Sequence, residues 1–308
     1  MLTCAPPRIG QFMKRFNTIG ILAKQDDPRV LPAVHEVSAM LLDMGCAVLV
    51  ESLPGLPTLP TGVRTADADT VIDEVEMLVV VGGDGTLLRA GRRLGNRQRP
   101  ILGIHHGRLG FLVDIRPEDT RCSLERVLEG EYWIEKRLTL LAEGERDDGI
   151  SGPYPAINDV VIRNQSAVRM LEFEIGHGDE FISLHRADGF IVATPTGSTA
   201  YALSGGGPVL PPGVDAIALV PICPHTLSDR PLVVGADRPV RVELVGSSRD
   251  QAMMTCDGQV NHTLSPGQRL TIRRAEHSLQ LIHPRSYNYF NILRNKLHWG
   301  REKPDNTA

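Results

Sequence analysis

The chain has 308 residues, 42% hydrophobic and 23% charged, with a net charge of −4; this length accommodates two domains with a substantial core. The acidic balance and the 5% aromatic content exclude the basic field and stacking platform of a nucleic-acid binder. No apolar run reaches the ~20 residues that cross a bilayer, the opening MLTCAPPRIGQFMKRF lacks a secretory apolar core and reads as a frayed leader, and Cys4, Cys46, Cys122, Cys223 and Cys256 form no CxxC pair, so a cytoplasmic protein with no membrane and no nucleic-acid partner is expected.

Thr18 to Ala23 reads as the first strand. Val30, Val34, Val37, Leu41 and Met44 then form a helical stripe closed by Gly45. Cys46 to Val50 is a second strand, and the Pro-rich stretch Pro54 to Pro60 is loop. Met77 to Val81 is an unbroken apolar run, as in a strand buried on both faces, and it stops at Gly82-Gly83-Asp84-Gly85-Thr86. A helix follows from Leu87 to Leu94. Strand, Gly-rich turn and helix together put main-chain N–H groups and a helix N-terminus at a strand's carboxyl end, where phosphates bind in α/β sheets. Bare glycines let a phosphate approach closely. Asp84 repels that phosphate unless it activates a hydroxyl or meets a metal; the alternative is a simple helix N-cap. The turn is neither a Walker A loop nor a GxGxxG fingerprint.

Pro100 to Ile104 is another buried strand, running into a second Gly-rich loop from His105 to Leu112. His105 and His106 are adjacent, so in regular β geometry they face opposite ways and cannot share a metal. Pro117 to Glu129 is a helix closed by Gly130. The alternation β-α-β-β-α-β-α up to about residue 130 is an open α/β domain.

The period then changes. Strands are expected at 132–143, 156–163, 171–176, 180–184, 189–194, 216–220, 238–244, 252–256, 268–272 and 279–282, separated by turns such as Asp188-Gly189 and Asp257-Gly258. Many short strands with few helices predict a mainly β, sandwich-like domain. The tail from Tyr289 to Trp299 spaces Phe290, Leu293 and Leu297 on one helical face that needs a partner, and Arg301 to Ala308 reads as loose. The expected division is an α/β domain over 1–130, a β-sandwich over 131–284, and a helix and tail over 285–308 that packs back on the body.

Two further stretches carry chemistry. In TPTGSTAY, from Thr194 to Tyr201, small hydroxyls and bare backbone suit a ribose, an amide or a purine edge; the bland alternative is an ST-rich turn before a helix. No GxSxG surrounds Ser198 or Ser204, so neither sits on a nucleophile elbow. Asn158-Asp159 is a polar pair entering an apolar strand, suited to an adenine edge and sugar hydroxyls, or else an Asx turn.

GGDGT at 82–86, Asn158-Asp159, Asp188-Gly189, TPTGSTAY at 194–201, PHTLSDRP at 224–231 and CDGQ at 256–259 come in the order found in the ATP-NAD kinase family, which the chain resembles from Thr18 to about Trp299. The resemblance implies a Rossmann-like N-terminal domain and a β-sandwich C-terminal domain with NAD in the cleft between them. It implies transfer of the γ-phosphate of ATP to the 2′-hydroxyl of the adenosine ribose of NAD, with Asp84 as general base, Gly85 beside the ribose, and Gly82, Gly83, Gly85 and Thr86 as the phosphate loop. It assigns Asn158 and Asp159 to adenosine and ribose hydroxyls, and Asp188 with Thr199, Ala200, Tyr201, Ala202, Leu203 and Ser204 to further dinucleotide contacts. Phe111, Arg169, Arg186 and Gln259 align with substrate-contacting positions.

The family commonly has Asn-Glu where this chain has Asn158-Asp159, one methylene shorter. Arg186 and Asp188 share a face of an extended segment by their spacing; within the family an arginine here leans towards NAD over NADH, and the alternative for Arg186 and Arg169 is a solvated strand-edge charge. No carboxylate cluster announces a metal cage, so Mg²⁺ is expected to arrive with ATP. The family also implies a homodimer or homotetramer, with 216–230 reaching a neighbour's site. The rival readings are a lipid kinase sharing the GGDGT turn and a non-catalytic NAD(P)-binding regulator.

Overall fold

The computed structural model describes residues 16–25, 27–107, 110–144, 152–165, 170–226, 228–246, 251–285, 287–298 and 300; residues 1–15 of the expected leader, the polar tail and Arg169 lie outside the described residues, whereas Phe16, the last residue of that leader, is not frayed but buried against Tyr132 in the first core. The chain forms two compact units, Met1–Glu135 with Gln280–Ala308, and Lys136–Leu279.

The first unit runs β1 (Thr18–Ala23), α1 (Leu31–Asp43), β2 (Ala47–Glu51), β3 (Arg64–Ala66), α2 (Ala68–Glu74), β4 (Met77–Gly82), α3 (Asp84–Leu94), β5 (Ile101–His105), α4 (Thr120–Leu128) and β6 (Tyr132–Arg137). The elements β3 and α2 are additions to the sequence expectation. One is three residues long with Arg64 and Thr65 exposed, and the other buries only Ala68, Val71 and Ile72, too few for a periodic signal. Asp67 caps α2, accepting the N–H groups of Asp69 and Thr70.

The second unit contributes β7 (Leu140–Gly144), β8 (Tyr154–Ala156), β9 (Asp159–Asn164), β10 (Leu171–His177), β11 (Glu180–Ala187), β12 (Gly189–Ala193), α5 (Tyr201–Ser204), β13 (Ala216–Ile222), β14 (Leu232–Gly235), β15 (Val240–Val245), β16 (Ala252–Cys256), β17 (Val260–Leu264) and β18 (Arg269–Arg274). The chain then returns to the first unit with β19 (Leu279–Pro284) and α6 (Tyr289–Leu297).

The first unit's sheet has the order β3-β2-β1-β4-β5-β19-β6, and β1 to β5 pair in parallel. The chain winds outward from β1 to β3, then crosses back to β4. The order therefore reverses between β1 and β4, and the crevice at the carboxyl ends of such strands is where open α/β sheets bind ligands. Met77 to Gly82 is buried throughout, so the turn at Gly82–Thr86 is fixed at that crevice by the most buried strand. Arg89 on α3 ties the same place together: it donates to both Glu51 oxygens at 2.7 and 2.8 Å and to the Ala23 carbonyl, joining α3 to the ends of β1 and β2.

The expected boundaries at 130/131 and 284/285 cut through this sheet. Both β6 and β19 are strands of the first unit, with Leu281 paired in parallel to Ile101 and with Tyr132 and Ile282 in the first core. The expected single strand 132–143 is broken at Leu138-Thr139 into β6 and β7. Helix α6 belongs to the first unit, but its buried side is Ile292 and Leu293, and Phe290 is 50% exposed. Of the expected stripe, Leu293 is buried and Leu297 partly so, while Phe290 turns outward and Ile292 takes its place.

The second unit is a sandwich of two sheets, β11-β10-β15-β18-β7-β8 and β14-β13-β12-β9-β16-β17, whose inner faces share one core around Phe173, Phe190, Val192, Val242 and Ile272. Alternation of buried and open positions along β10 and β15 is the expected mark of a sheet with one face packed. The outer face of the second sheet buries Val161, Ile191, Ala218 and Val220 under Ala202 of α5. Strands β8, β14 and β17 were not separated by the sequence pattern because they are short or edge strands.

Glu51 is 2% exposed and its charge is met chiefly by Arg89. Replacing Arg89 with alanine leaves that carboxylate poorly paired, and we expect a loss of about 3 kcal/mol in urea unfolding, near the low end for one partner removed from a buried pair.

Candidate active site

Asp84 is the first residue of α3, and Gly83 is the N-cap. The alternative that Asp84 merely caps its own helix is therefore overturned. Its carboxylate reaches across to the loop after β5, where it accepts the N–H of Phe111 at 2.8 Å, of Leu112 at 3.1 Å and of Val113 at 3.2 Å. Asp84 stays partly open to solvent. A carboxylate offers about four lone-pair directions, so this clamp leaves about one for a ligand hydroxyl. The position at a helix N-terminus further favours its negative charge.

The glycines around it fall into two kinds. A Cβ at Gly110 would land on the Asp84 carboxylate, so that glycine serves contact within the protein. A Cβ at Gly83 or Gly85 would meet nothing within 4 Å, and neither residue has a positive φ. Neither internal packing nor backbone conformation demands glycine there. Gly85 is exposed, Gly83 partly so, while Gly82 and Thr86 are buried and support the turn from below. Phe111 thus stands next to Asp84 as its N–H donor, and Lys296 of α6 lies 5.3 Å over the Phe111 ring.

In the second unit, Asn158 and Asp159 lie where β9 begins. Asp257 holds them: its carboxylate accepts the N–H groups of Ile157, Asn158 and Asp159. Asp257 and Gly258 both adopt left-handed conformations, φ +49° and +67°, in the turn between β16 and β17. Gln259 closes that turn by donating its N–H to Cys256, with its side chain exposed. Asp159 is 4% exposed. Burial, and then the nearby Asp257 charge, push its pKa up to about 7.

Asn158 also receives the Thr194 N–H on its carbonyl, and a Cβ at Gly197 would strike that carbonyl. Thr194 donates to Ile157, Ser198 to Pro195 and Thr199 to Thr196, all on main-chain carbonyls. The ST-turn reading describes the Ser198 and Thr199 protons, each given three residues back, whereas Thr194 ties the turn to the segment before β9. Arg137, 1% exposed, donates to the Thr196 hydroxyl from beneath. Of the residues that follow, Tyr201 and Ser204 are exposed, Thr199, Ala200 and Leu203 partly buried, and Ala202 is packed in the outer core of its sheet.

Arg186 and Asp188 are both exposed at the end of β11 and just beyond it. The Arg186 carbonyl accepts the His225 N–H, and beside it Ser183, His185 and Asp229 are linked at 2.6 and 2.9 Å, tying His225 and Asp229 to β11. Sequence reasoning missed Arg137, Asp257 as an anchor, and this His185 link. Asp257 stood inside the CDGQ motif but read as a turn residue, and Arg137 lay unremarked within the expected strand 132–143.

A parallel α/β unit with a bare phosphate-type turn at its switch point, joined to an antiparallel sandwich carrying a second polar site, defines a two-unit nucleotide-binding fold. The sequence matches the ATP-NAD kinase N-terminal domain over residues 19–132 and the ATP-NAD kinase C-terminal domain over 157–284. It is 42% identical over 289 residues to an NAD kinase of Pseudoalteromonas translucida, covering 92% of this chain and 97% of that one. It is 41% identical over 293 residues to an NAD kinase of Pseudomonas fluorescens, covering 94% and 97%. Among solved structures, a yeast NADH kinase complexed with NADH superposes with a TM-score of 0.84 at 25% identity, over 94% of this chain and 90% of that one. An NAD kinase from Archaeoglobus fulgidus in complex with ATP gives 0.71 at 26% identity, over 91% and 98%. The chain belongs to the ATP-NAD kinase family.

The raised Asp159 carboxyl has a measurable consequence. Between about pH 4, its unfolded value, and about pH 7, the folded chain keeps a proton that the unfolded chain has lost, so stability falls as pH rises through that window. Asp159→Asn lacks this term. Its stability relative to wild type is expected to improve by on the order of a few kcal/mol from pH 4 to pH 7 and then level off; parallel urea-unfolding curves across that range would refute the assignment.

Proposed function

We infer that the chain is an ATP-dependent kinase acting on NAD, with Asp84 as general base for the adenosine ribose 2′-hydroxyl. The hydroxyl oxygen attacks the γ-phosphorus of ATP, the bond to the ADP oxygen breaks, and the hydroxyl proton passes to Asp84; the products are NADP and ADP. Phosphoryl transfer needs mainly positioning and charge neutralisation, with one group to orient or deprotonate the nucleophile. The observation that carries this reading is the Asp84 carboxylate, aimed by three main-chain N–H groups and flanked by Gly83 and Gly85, whose glycine identity nothing inside the chain requires.

Gly82, Gly83, Gly85 and Thr86 form the phosphate loop, and Asn158, Asp159, Asp188 and the 199–204 segment take up the dinucleotide. The Asp159 carboxyl, buried beside the Asp257 charge, supports a ribose contact there. Phe111 packs beside the nucleotide, and Gln259 and Arg169 extend the contact surface. Arg186, exposed and charged, favours NAD over NADH. Among the described residues no group of three or more His, Cys, Asp or Glu could hold a metal. The divalent cation, Mg²⁺, arrives with ATP and neutralises phosphate charge.

The enzyme works in the cytoplasm as a homodimer or homotetramer. Support for assembly comes from exposed Phe181 and Leu184 on β11 and Leu232 and Val233 on β14, apolar side chains on sheet edges. No helix among the described residues is long and apolar enough to cross a membrane.

The experiment is a coupled assay with NAD and ATP-Mg²⁺ read by an NADP-specific dehydrogenase. Asp84→Asn is expected to lower turnover by about 10²–10⁴-fold, with NAD binding by calorimetry kept; unchanged turnover would discard the general-base assignment. Gly85→Ala separates ligand space from folding. It should stabilise the chain by about 0.4–1 kcal/mol yet cut kcat/KM by about 10²-fold through a displaced substrate, and full activity in that variant would show that nothing approaches the turn.

A further inference from the structure

His283 on β19 is 1% exposed in the first unit. Its ring stands between two carboxylates. Nε2 is 3.1 Å from Glu135 Oε2 on β6, and Nδ1 is 3.4 Å from Asp114 Oδ2 in the loop after β5. The Glu135 contact is a hydrogen bond, and the Asp114 contact is an ion pair without hydrogen-bond alignment. The ring stacks on Tyr287 at 3.6 Å and tilts against Trp133 at 5.2 Å. Among the described residues, the titratable groups in contact with it are Asp114, Glu135 and Tyr287. Imidazole meets two carboxylates favourably only as imidazolium, since its neutral form has one donor. Burial alone pushes the ring down, but the pairing with Asp114 and Glu135 outweighs it and raises its pKa.

Asp114 is the next residue after Val113, the last of the N–H donors to Asp84. The segment 111–114 is therefore held at one end by the Asp84 carboxylate and at the other by His283. Asp114 Oδ1 is buried without a hydrogen-bond partner, and its other oxygen meets the His283 ring at 3.4 Å. Removing the imidazolium charge leaves an unpaired buried carboxylate directly beside the Asp84 clamp, a strongly unfavourable arrangement.

We propose that His283, by bridging Asp114 and Glu135, is a positioning residue for Asp84: it fixes the loop whose main-chain N–H groups aim the carboxylate. This rests on the general-base reading of Asp84. The support is complete while the ring is protonated and is lost as pH rises through its raised pKa, so turnover falls on the alkaline side while substrate binding changes little.

The test is kcat and KM from about pH 6 to 9.5 for the full chain, for His283→Gln and for Asp114→Asn, with Asp84→Asn beside them. His283→Gln is expected to lower kcat near pH 7 about tenfold, about 1.4 kcal/mol in the barrier, with KM for NAD and ATP within about threefold, and to lack the alkaline fall of the wild type. Asp114→Asn keeps the loop's shape and should behave alike, so it carries the test if His283→Gln does not fold. Wild-type kcat and an unchanged alkaline limb in the folded variants overturn the positioning role. If they keep full kcat while Asp84→Asn loses it, only this inference fails; if Asp84→Asn itself turns over normally, the general-base reading fails and this inference with it.

Discussion

A carboxylate held by consecutive main-chain N–H groups is the interaction around which this molecule is built. Asp84 receives the N–H groups of Phe111, Leu112 and Val113. The bond set joins the turn after β4 to the loop after β5, so the two neighbouring strand ends cannot drift apart independently. It also explains Gly110, whose hydrogen stands where any larger side chain would meet the carboxylate. Charge-assisted bonds of this kind are stronger than neutral ones, and three of them fix the direction of the acid without engaging all its lone pairs.

The second unit repeats the device. Asp257 gathers the N–H groups of Ile157, Asn158 and Asp159, and Gly197 lets the TPTG turn press against the Asn158 carbonyl. In each unit a carboxylate from one connection stiffens the main chain of another, and a glycine permits the close approach. Irregular backbone carries unpaired N–H groups that must be satisfied when removed from water, so the same bonds that shape the site also remove a cost to folding. Loops otherwise prone to local opening become rigid enough to place a reacting oxygen.

Buried charges back up this frame. Glu51 with Arg89 anchors α3, Arg137 supports the turn at Thr196, and His283 sits between Asp114 and Glu135. Such groups are poor sources of stability, because desolvation offsets much of the attraction. Their concentration around the two turns reflects a demand for orientation. Asp159 differs from them: it is buried beside the Asp257 carboxylate, and burial and that charge together raise its pKa.

By itself the amino-acid sequence determined the elements with strong periods: the buried strand Met77–Gly82, the stripe of α1, and the alternating strands of the second unit. It also determined the motifs, because GGDGT, Asn158-Asp159 and TPTGSTAY are contiguous and their residue types announce their chemistry. Only the tertiary structure decided that β6 and β19 close the first sheet, that Asp84 grips residues 27 to 29 positions ahead, and that Asp257 holds a segment about 100 positions back. It alone showed that Gly110 and Gly197 are required from within the chain while Gly83 and Gly85 are not. The reason is that local sequence encodes torsion preference and the face to be buried, whereas partners distant along the chain are chosen by sheet order and shape. His283 and Arg137, each a single polar letter in an ordinary strand, acquire meaning only once the sheets bring their partners to them.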